Sequence, residues 1–298
     1  MTVRAGTIPV AAPADPRARE RLLLLAGPLG WIALFLVVPC LLIGIYSLFE
    51  RGTYGGIEWN FTFENFRRAA DPLYFGILIK SLWIAGLATA IALLVGYPAA
   101  FLIATSPERW QKLLLVLAVL PFWTNYLIRS YAWIVILNRE GAINNLLRGL
   151  GLTSEPLPLL YNEFAIVLGL VYAYLPFMIL PLYAAISRLG ADLIEASTDL
   201  GADGWRSFRR IILPLTLPGI AAGSIFVFVY SLGNFITPDL LGGGRTVMVG
   251  NLIYDQFLTA RDWPFGAALA FILIGIMMGL LTLQAFLINR ARRIGTYD

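Results

Sequence analysis

The chain has 298 residues, of which 59% are hydrophobic and 13% charged, and its mean hydropathy is +0.76. Soluble domains carry about 25% charged residues, so this composition predicts a polytopic membrane protein. The absence of histidine excludes zinc sites with histidine ligands, serine–histidine triads and imidazole acid–base catalysis. The net charge of +4 fits basic residues that set the orientation in a membrane, and we expect no nucleic-acid partner.

Six apolar stretches are long enough to cross a membrane, which takes about 20 residues of helix. They are 22–49, 76–105, 113–137, 164–187, 215–241 and 264–289. The first follows several arginines, as in a signal peptide, but its apolar run is about twice as long and no cleavage signal follows, so we expect an uncleaved helix. The predicted fold class is an all-α polytopic membrane protein with a tail (1–21), a transmembrane domain (22–289) and a second tail (290–298).

The distribution of basic residues predicts the orientation of these spans. An even number of spans places both tails on one side, together with the 106–112 loop and residues 188–214. That side carries 13 Lys and Arg residues, whereas the opposite side carries 8. Because basic loops are retained in the cytoplasm, we expect both termini to be cytoplasmic.

Three outer connections have recognisable patterns. Residues 61–82 are partly amphipathic and are predicted to lie along the membrane interface before the second span. Residues 140–152 place leucine and isoleucine at helical spacing, which predicts a short surface helix. Residues 240–251 contain four glycines, which is typical of a flexible or re-entrant loop.

A charged segment interrupts the apolar pattern between the fourth and fifth spans. It reads EASTDLGADGWRSFRRIILP and begins at Glu195. We predict a helix that ends near Leu200, a turn at Gly201 and a second helix from Asp203 to Ile212, because glycine permits a sharp bend. Pro214 and the proline four residues later would mark the start of the fifth span. The segment 192–214 is therefore predicted to form a cytoplasmic helix–turn–helix, which we call the elbow.

The elbow resembles the EAA loop of permease subunits of ATP-binding-cassette importers. In that family Glu-Ala-Ala precedes a glycine by three residues, and Ile-x-Leu-Pro follows nine residues later. Here Glu195 begins the motif, Gly201 is the glycine and Ile211–Pro214 ends it, with Ser197 in place of the second alanine. The resemblance implies the type I importer fold and a coupling role for these residues: Glu195, Ala196, Ser197, Leu200, Gly201, Trp205, Leu213 and Pro214.

The resemblance also implies a set of partners. The chain would form half of a channel with a second homologous permease, sit in the lipid bilayer of a bacterial inner membrane, contact two ATPase subunits and receive its solute from an extracytoplasmic binding protein. No G-x-x-x-x-G-K-[ST] phosphate-binding loop occurs in the chain, so ATP would be bound by the partner and we expect no cofactor, metal or catalytic residue here.

Two further segments resemble spermidine/putrescine permeases. Residues 120–147 contain Pro-Phe-Trp-Thr, Leu-Ile-Arg and Ala-Trp in the order of that subfamily, and residues 233–244 match its fifth-span segment. Many of its members carry an acidic residue near the position of Asn234, which this chain lacks. Polyamines are the expected solute, and opines, aminoethylphosphonate and thiamine, which related permeases carry, remain alternatives.

Polar residues within the spans are the candidates for a solute path, because polar groups in a bilayer face a cavity or a partner. They are Thr124, Asn125, Tyr126, Arg129, Tyr174, Tyr230, Asn234 and Asp239. For each of them the alternative is packing or hydrogen bonding between helices. For Arg129 the alternatives are snorkelling outward to the membrane surface and a structural ion pair with Asp239.

Two other classes of protein remain to be distinguished from a permease subunit. An autonomous secondary transporter would show inverted repeats, helices broken at mid-membrane and an ionisable coupling residue there. A structural membrane scaffold would leave the fixed spacing of the elbow unexplained.

Overall fold

In the computed structural model, which describes residues 18–294, the chain is a bundle of helices with one small β-hairpin. Most of the predicted tails, 1–17 and 295–298, lies outside the described residues. Within the described part, five helices are long and apolar enough to cross a membrane, and a sixth span results if one bent pair of helices is counted together. The prediction of a helical polytopic fold is therefore confirmed.

The first span consists of α1 (Ala18–Ile32), a π-helical segment (Ala33–Val37) and α2 (Val38–Tyr46). The π segment precedes Pro39, which lacks the N–H that a regular α-helix would use. None of the side chains described in the stretch 24–46 is buried. This span therefore packs on the outside of the bundle.

A β-hairpin follows the first span, and the sequence analysis did not predict it. Strands β1 (Phe49–Arg51) and β2 (Ile57–Phe61) pair antiparallel, and the short helix α3 (Glu64–Ala69) follows. Arg68 of α3 forms an ion pair of 2.7 Å with Asp262, whose carboxylate is buried. Burial lowers the pKa of Arg68, but its hydrogen bonds to Asp262 and Tyr74 outweigh this effect, so the pKa is raised.

The core is formed by three long helices: α4 (Pro72–Thr105), α8 (Glu163–Ile186) and α11 (Leu213–Leu232). Twelve of the 24 residues of α8 are buried, so it lies at the centre. Gly219 and Gly223, one turn apart on α11, let its backbone approach α8; a Cβ on Gly219 would lie 2.8 Å from a carbonyl oxygen of α8. Small residues thus allow α11 and α8 to pack closely.

The third predicted span, 113–137, is not one continuous helix but a pair of helices joined at a sharp bend. Helix α5 (Glu108–Trp123) ends at Thr124, and α6 (Tyr126–Leu137) begins after it in a direction that differs by 90°. Thr124 and Asn125 are both extended rather than helical, which breaks the hydrogen-bond ladder. Arg129 therefore lies in the first turn of α6 rather than deep within one continuous helix.

The prediction that the fifth span runs to residue 241 is wrong, because α11 ends at Leu232. After a turn at Gly233 the chain forms α12 (Ile236–Gly242) and α13 (Val249–Leu258). The last span is α14 (Trp263–Ile294), which begins where 264–289 was predicted. The predicted surface helix is present as α7 (Ala142–Gly149). Residues 61–82 contain α3 and the start of α4 instead of one interfacial segment.

Candidate functional site

The elbow has the predicted helix–turn–helix geometry. Helix α9 (Ala191–Asp199) ends before Gly201, whose φ of +78° is the left-handed conformation that favours glycine. Helix α10 (Gly204–Ser207) then begins with the Asp203 carboxylate accepting a hydrogen bond of 2.7 Å from the backbone N–H of Arg206. This N-terminal cap and the glycine turn together fix the bend.

A buried hydrogen bond closes the elbow from inside. The hydroxyls of Ser197 and Ser207, one from each arm, lie 2.8 Å apart and both side chains are buried. Thus the residue that departs from the EAA pattern makes a contact that alanine could not make. Ser207 was not predicted as a site residue, since a lone serine gives no sequence signal.

The tip of the elbow exposes apolar side chains. Leu200 is 88% exposed and Trp205 is 69% exposed, and the Trp205 ring stacks on Phe208 at 5.7 Å. Glu195 and Ala196 on α9 are exposed as well. Large apolar side chains projecting from an otherwise charged segment are typical of a docking surface.

The second arm of the elbow is continuous with the fifth span. A π-helical segment (Phe208–Ile212) joins α10 to α11, and the N–H of Leu213 donates to the carbonyl of Phe208. This irregularity places Pro214, which has no N–H, inside an unbroken helical path from Gly204 to Leu232. A displacement of the elbow would therefore be transmitted directly to the core helix α11.

The second feature is a cavity of about 310 Å³ beside the middle of α8. It is lined by Tyr126, Tyr174, Val229, Tyr230, Gly233, Asn234, Phe235 and Ile236. The structure therefore brings together four of the predicted path residues, from α6, α8, α11 and the turn that follows α11. Phe235 and Ile236 were missed because they lay within a predicted continuous span.

Asn234 organises this cavity. Its side-chain N–H groups donate to the hydroxyls of Tyr126 at 2.5 Å and Tyr174 at 2.6 Å, and its oxygen accepts from the backbone N–H of Thr237 at 2.8 Å. The Tyr126 hydroxyl also contacts that of Thr237. Asn234 thus ties the break between α11 and α12 to the break between α5 and α6.

Aromatic rings supply the rest of the wall. The rings of Tyr174 and Tyr230 stack at 5.6 Å, and Phe177 lies 5.0 Å from Tyr230. The Tyr230 side chain is 45% exposed, so its face is available to a solute. Among the described residues, no carboxylate lines the cavity and no cluster of potential metal ligands exists. This wall can attract an organic cation through ring faces and hydroxyls rather than through charge.

The other predicted path residues have local structural contacts. Thr124 donates to the carbonyl of Pro121, and Asn125 caps α6 by accepting from the N–H of Leu127. Arg129 is 8% exposed and also donates to the Pro121 carbonyl, at 2.8 Å. Asp239 is exposed and makes no ion pair with Arg129. The predicted pairing of these two residues is therefore wrong.

Comparison with known proteins identifies the class of this fold. Residues 96–293 match the family model described as "Binding-protein-dependent transport system inner membrane component". The chain belongs to this family. It is 44% identical over 254 residues to the spermidine/putrescine transport system permease protein PotB of Salmonella typhimurium, covering 85% of this chain and 88% of that protein.

Two further comparisons agree with this assignment. The chain is 35% identical to the inner membrane ABC transporter permease protein YdcU of Escherichia coli, covering 93% of this chain and 90% of that protein. Its fold matches a chain of a bacterial alginate ABC transporter with a TM-score of 0.74, at 19% identity and over 93% of this chain and 96% of that one. The chain is thus a multi-pass inner-membrane permease of the ABC transporter type, and its role is transport.

Proposed function

We propose that this permease subunit forms half of the translocation pathway for polyamines such as spermidine and putrescine. A second homologous permease forms the other half, two ATPase subunits bind the elbows, and an extracytoplasmic binding protein delivers the solute. Both termini of the chain are cytoplasmic, so the elbow faces the ATPases. The observation that carries this proposal is a solute-sized aromatic cavity connected by one helix, α11, to an exposed apolar elbow.

Some residues of the elbow contact the ATPase, and others fix the angle between its two arms. Leu200 and Trp205 insert into the ATPase, since they are the large apolar side chains exposed at the bend. Gly201 and Ser197 hold the two arms at their angle, through the left-handed turn and the buried hydroxyl pair. Glu195, Ala196, Leu213 and Pro214 belong to the two arms. ATP is bound and hydrolysed by the partner alone.

The cavity supports an organic cation for two reasons. Aromatic faces attract ammonium groups by about 0.5–2 kcal/mol each, and Tyr126, Tyr174 and Tyr230 line the same space. Several weak contacts without a fixed counter-charge let a polyamine pass instead of trapping it. The similarity to spermidine/putrescine permeases points to the same solute.

The decisive test measures spermidine uptake by the reconstituted transporter with substitutions at Tyr230. Tyr230→Ala should reduce uptake about tenfold, while Tyr230→Phe, which keeps the ring, should retain most of it. Trp83→Ala, which removes an exposed ring on α4 that does not line the cavity, is the control for folding. Unchanged uptake in Tyr230→Ala would contradict the polyamine assignment. Transport of thiamine, an opine or aminoethylphosphonate in place of spermidine would contradict it as well.

A further inference from the structure

A second cavity, of about 250 Å³, lies at the end of the bundle opposite the elbow. It is lined by Leu137, Asn138, Arg139, Pro158, Leu159, Leu160, Tyr161 and Arg245. Helix α8 begins directly after this region and runs about 36 Å to the elbow side. We call this cavity the outer pocket; the transport mechanism above does not use it.

Two arginines face the outer pocket without a protein partner. Among residues 18–294, neither Arg139 nor Arg245 has an ion pair or a side-chain hydrogen bond. Two other basic residues at this end do have such partners: Lys80 pairs with Glu163 at 2.8 Å, and Arg148 donates to Asn145. Two unpaired guanidinium groups at one cavity leave a positive field that an anion would neutralise.

The walls of the pocket are fixed by a buried asparagine. Asn144 of α7 has no exposed surface and donates to the carbonyls of Asn138 and Leu157, both at 3.0 Å. Its oxygen accepts from the N–H of Leu157 at 2.9 Å. One side chain therefore joins the two loops that carry the rim, so the pocket is formed before any ligand arrives.

The backbone is strained at Tyr161, which also lines the outer pocket. Tyr161 has a φ of +63°, a left-handed conformation that is uncommon for a bulky residue. Its ring lies directly over Gly243, where a Cβ would collide with it, and Gly243 is itself left-handed. Arg245 follows from this turn. Strain that the surrounding structure maintains at a cavity is characteristic of a binding site.

We propose that the outer pocket binds the phosphate headgroup of an anionic phospholipid from the outer leaflet. The pocket lies next to the first turn of α8, hence where the hydrocarbon ends and the headgroups begin. Helix α7 alongside exposes Leu146 and Leu150, as an interfacial helix does. Guanidinium groups at a membrane surface attract anionic headgroups, and the leucines of this pocket suit the glycerol and first methylenes.

Lipid binding to the purified full-length chain tests this proposal by native mass spectrometry. Phosphatidylglycerol should bind in preference to phosphatidylcholine with the same acyl chains, and raising the salt concentration should weaken the preference. Arg139→Gln and Arg245→Gln should each reduce it about fivefold, and the double variant about 25-fold. The matched control is Arg148→Gln, because Arg148 lies on α7, bonds to Asn145 and does not line the pocket.

Five outcomes would overturn the assignment. The double variant could keep the preference for phosphatidylglycerol, or Arg148→Gln could lose as much of that preference as Arg139→Gln. Inorganic phosphate at millimolar concentration could displace the lipid, which would indicate a site for free anions. The double variant could also bind lipid normally yet lose binding-protein-dependent uptake, which would indicate a protein-docking site. Should the Gln variants not fold, Arg139→Lys and Arg245→Lys keep the charge and must retain most of the preference. An absence of lipid selectivity in the wild-type chain contradicts the proposal whether or not the chain transports polyamines.

Discussion

Arg129 shows how a charged residue in a membrane segment can be satisfied without a counter-charge. Its guanidinium donates to the carbonyl of Pro121 across the break between α5 and α6 and lies over the rings of Tyr126 and Tyr172, at 5.1 and 5.7 Å. A carbonyl and two ring faces thus take the place of a carboxylate. Arg129 therefore braces the 90° bend.

This arrangement predicts different effects for two substitutions. Arg129→Met should lower the free energy of unfolding by about 1.5–3 kcal/mol, because a hydrogen bond to a charged group is lost. Asp239→Leu should change stability by less than about 0.5 kcal/mol, since Asp239 is exposed. Thermal melts in detergent of both single variants and the double variant provide the measurement. If the double variant were more stable than Arg129→Met alone, that result would support the ion pair between Arg129 and Asp239, which we reject.

Ser197 offers a second prediction at this scale. Ser197→Ala leaves the buried Ser207 hydroxyl without its bond across the elbow, which should destabilise the elbow by about 1 kcal/mol. Hydrogen–deuterium exchange of α9 and α10 in the purified chain would show faster exchange there. In the double variant Ser197→Ala/Ser207→Ala, the increase in exchange rate should be smaller than the sum of the increases in the two single variants. Strictly additive increases would contradict an interaction between the two serines.

Four residues that line the cavity could be predicted from the sequence, because polar side chains in apolar runs are conspicuous: Tyr126, Tyr174, Tyr230 and Asn234. The hydrogen bonds from Asn234 to two of these tyrosines could not be predicted. Thr124 and Asn125 were also predicted to line the cavity, but Thr124 bonds within a turn and Asn125 caps α6. The difference depends on where helices break. Caps and path residues have the same chemistry, and only the backbone direction separates them.

At the scale of elements, the elbow was predictable in detail and the breaks were not. Glycine, a capping aspartate and prolines mark the elbow, because each has a local conformational cause. The breaks at Thr124 and Gly233 lie within stretches whose average hydropathy is high, and average hydropathy reports the length of a span but not its direction. The β-hairpin was not predicted because a contact that stabilises it comes from a residue far away in the sequence: Arg51 donates to the carbonyl of Ala260.

The elbow turn permits a matched test with two glycines. Gly201→Ala forces a left-handed conformation on a residue with a Cβ and should destabilise the turn by about 1–2 kcal/mol, although no atom obstructs the new methyl group. Gly204→Ala lies in a helix with equal space and should be neutral or stabilising. Co-purification of the ATPase and solute uptake should fall in Gly201→Ala only. Equal effects of the two variants would mean that side-chain volume, not backbone conformation, governs coupling.

At the scale of the whole molecule, the chain has the features of a part rather than a complete transporter. No described side chain of the stretch 24–46 is buried, and the cavity lined by the tyrosines is open to the surface. Its structure contains broken helices, which an autonomous secondary transporter would also show. What it lacks, among the residues lining the cavity, is a carboxylate, lysine or arginine that could couple solute movement to protons.

This absence leads to a prediction about the isolated chain. Reconstituted alone in liposomes, it should show no ATP turnover and no saturable spermidine uptake under a proton or sodium gradient. The residues that line the cavity include no carboxylate, lysine or arginine, so a proton gradient has no such group to act on there. Addition of the second permease, the ATPases and the binding protein should restore ATP-dependent uptake, since the elbow then connects hydrolysis to α11. Gradient-driven uptake by the chain alone would show that coupling arises within the bundle, and the elbow would then need another role.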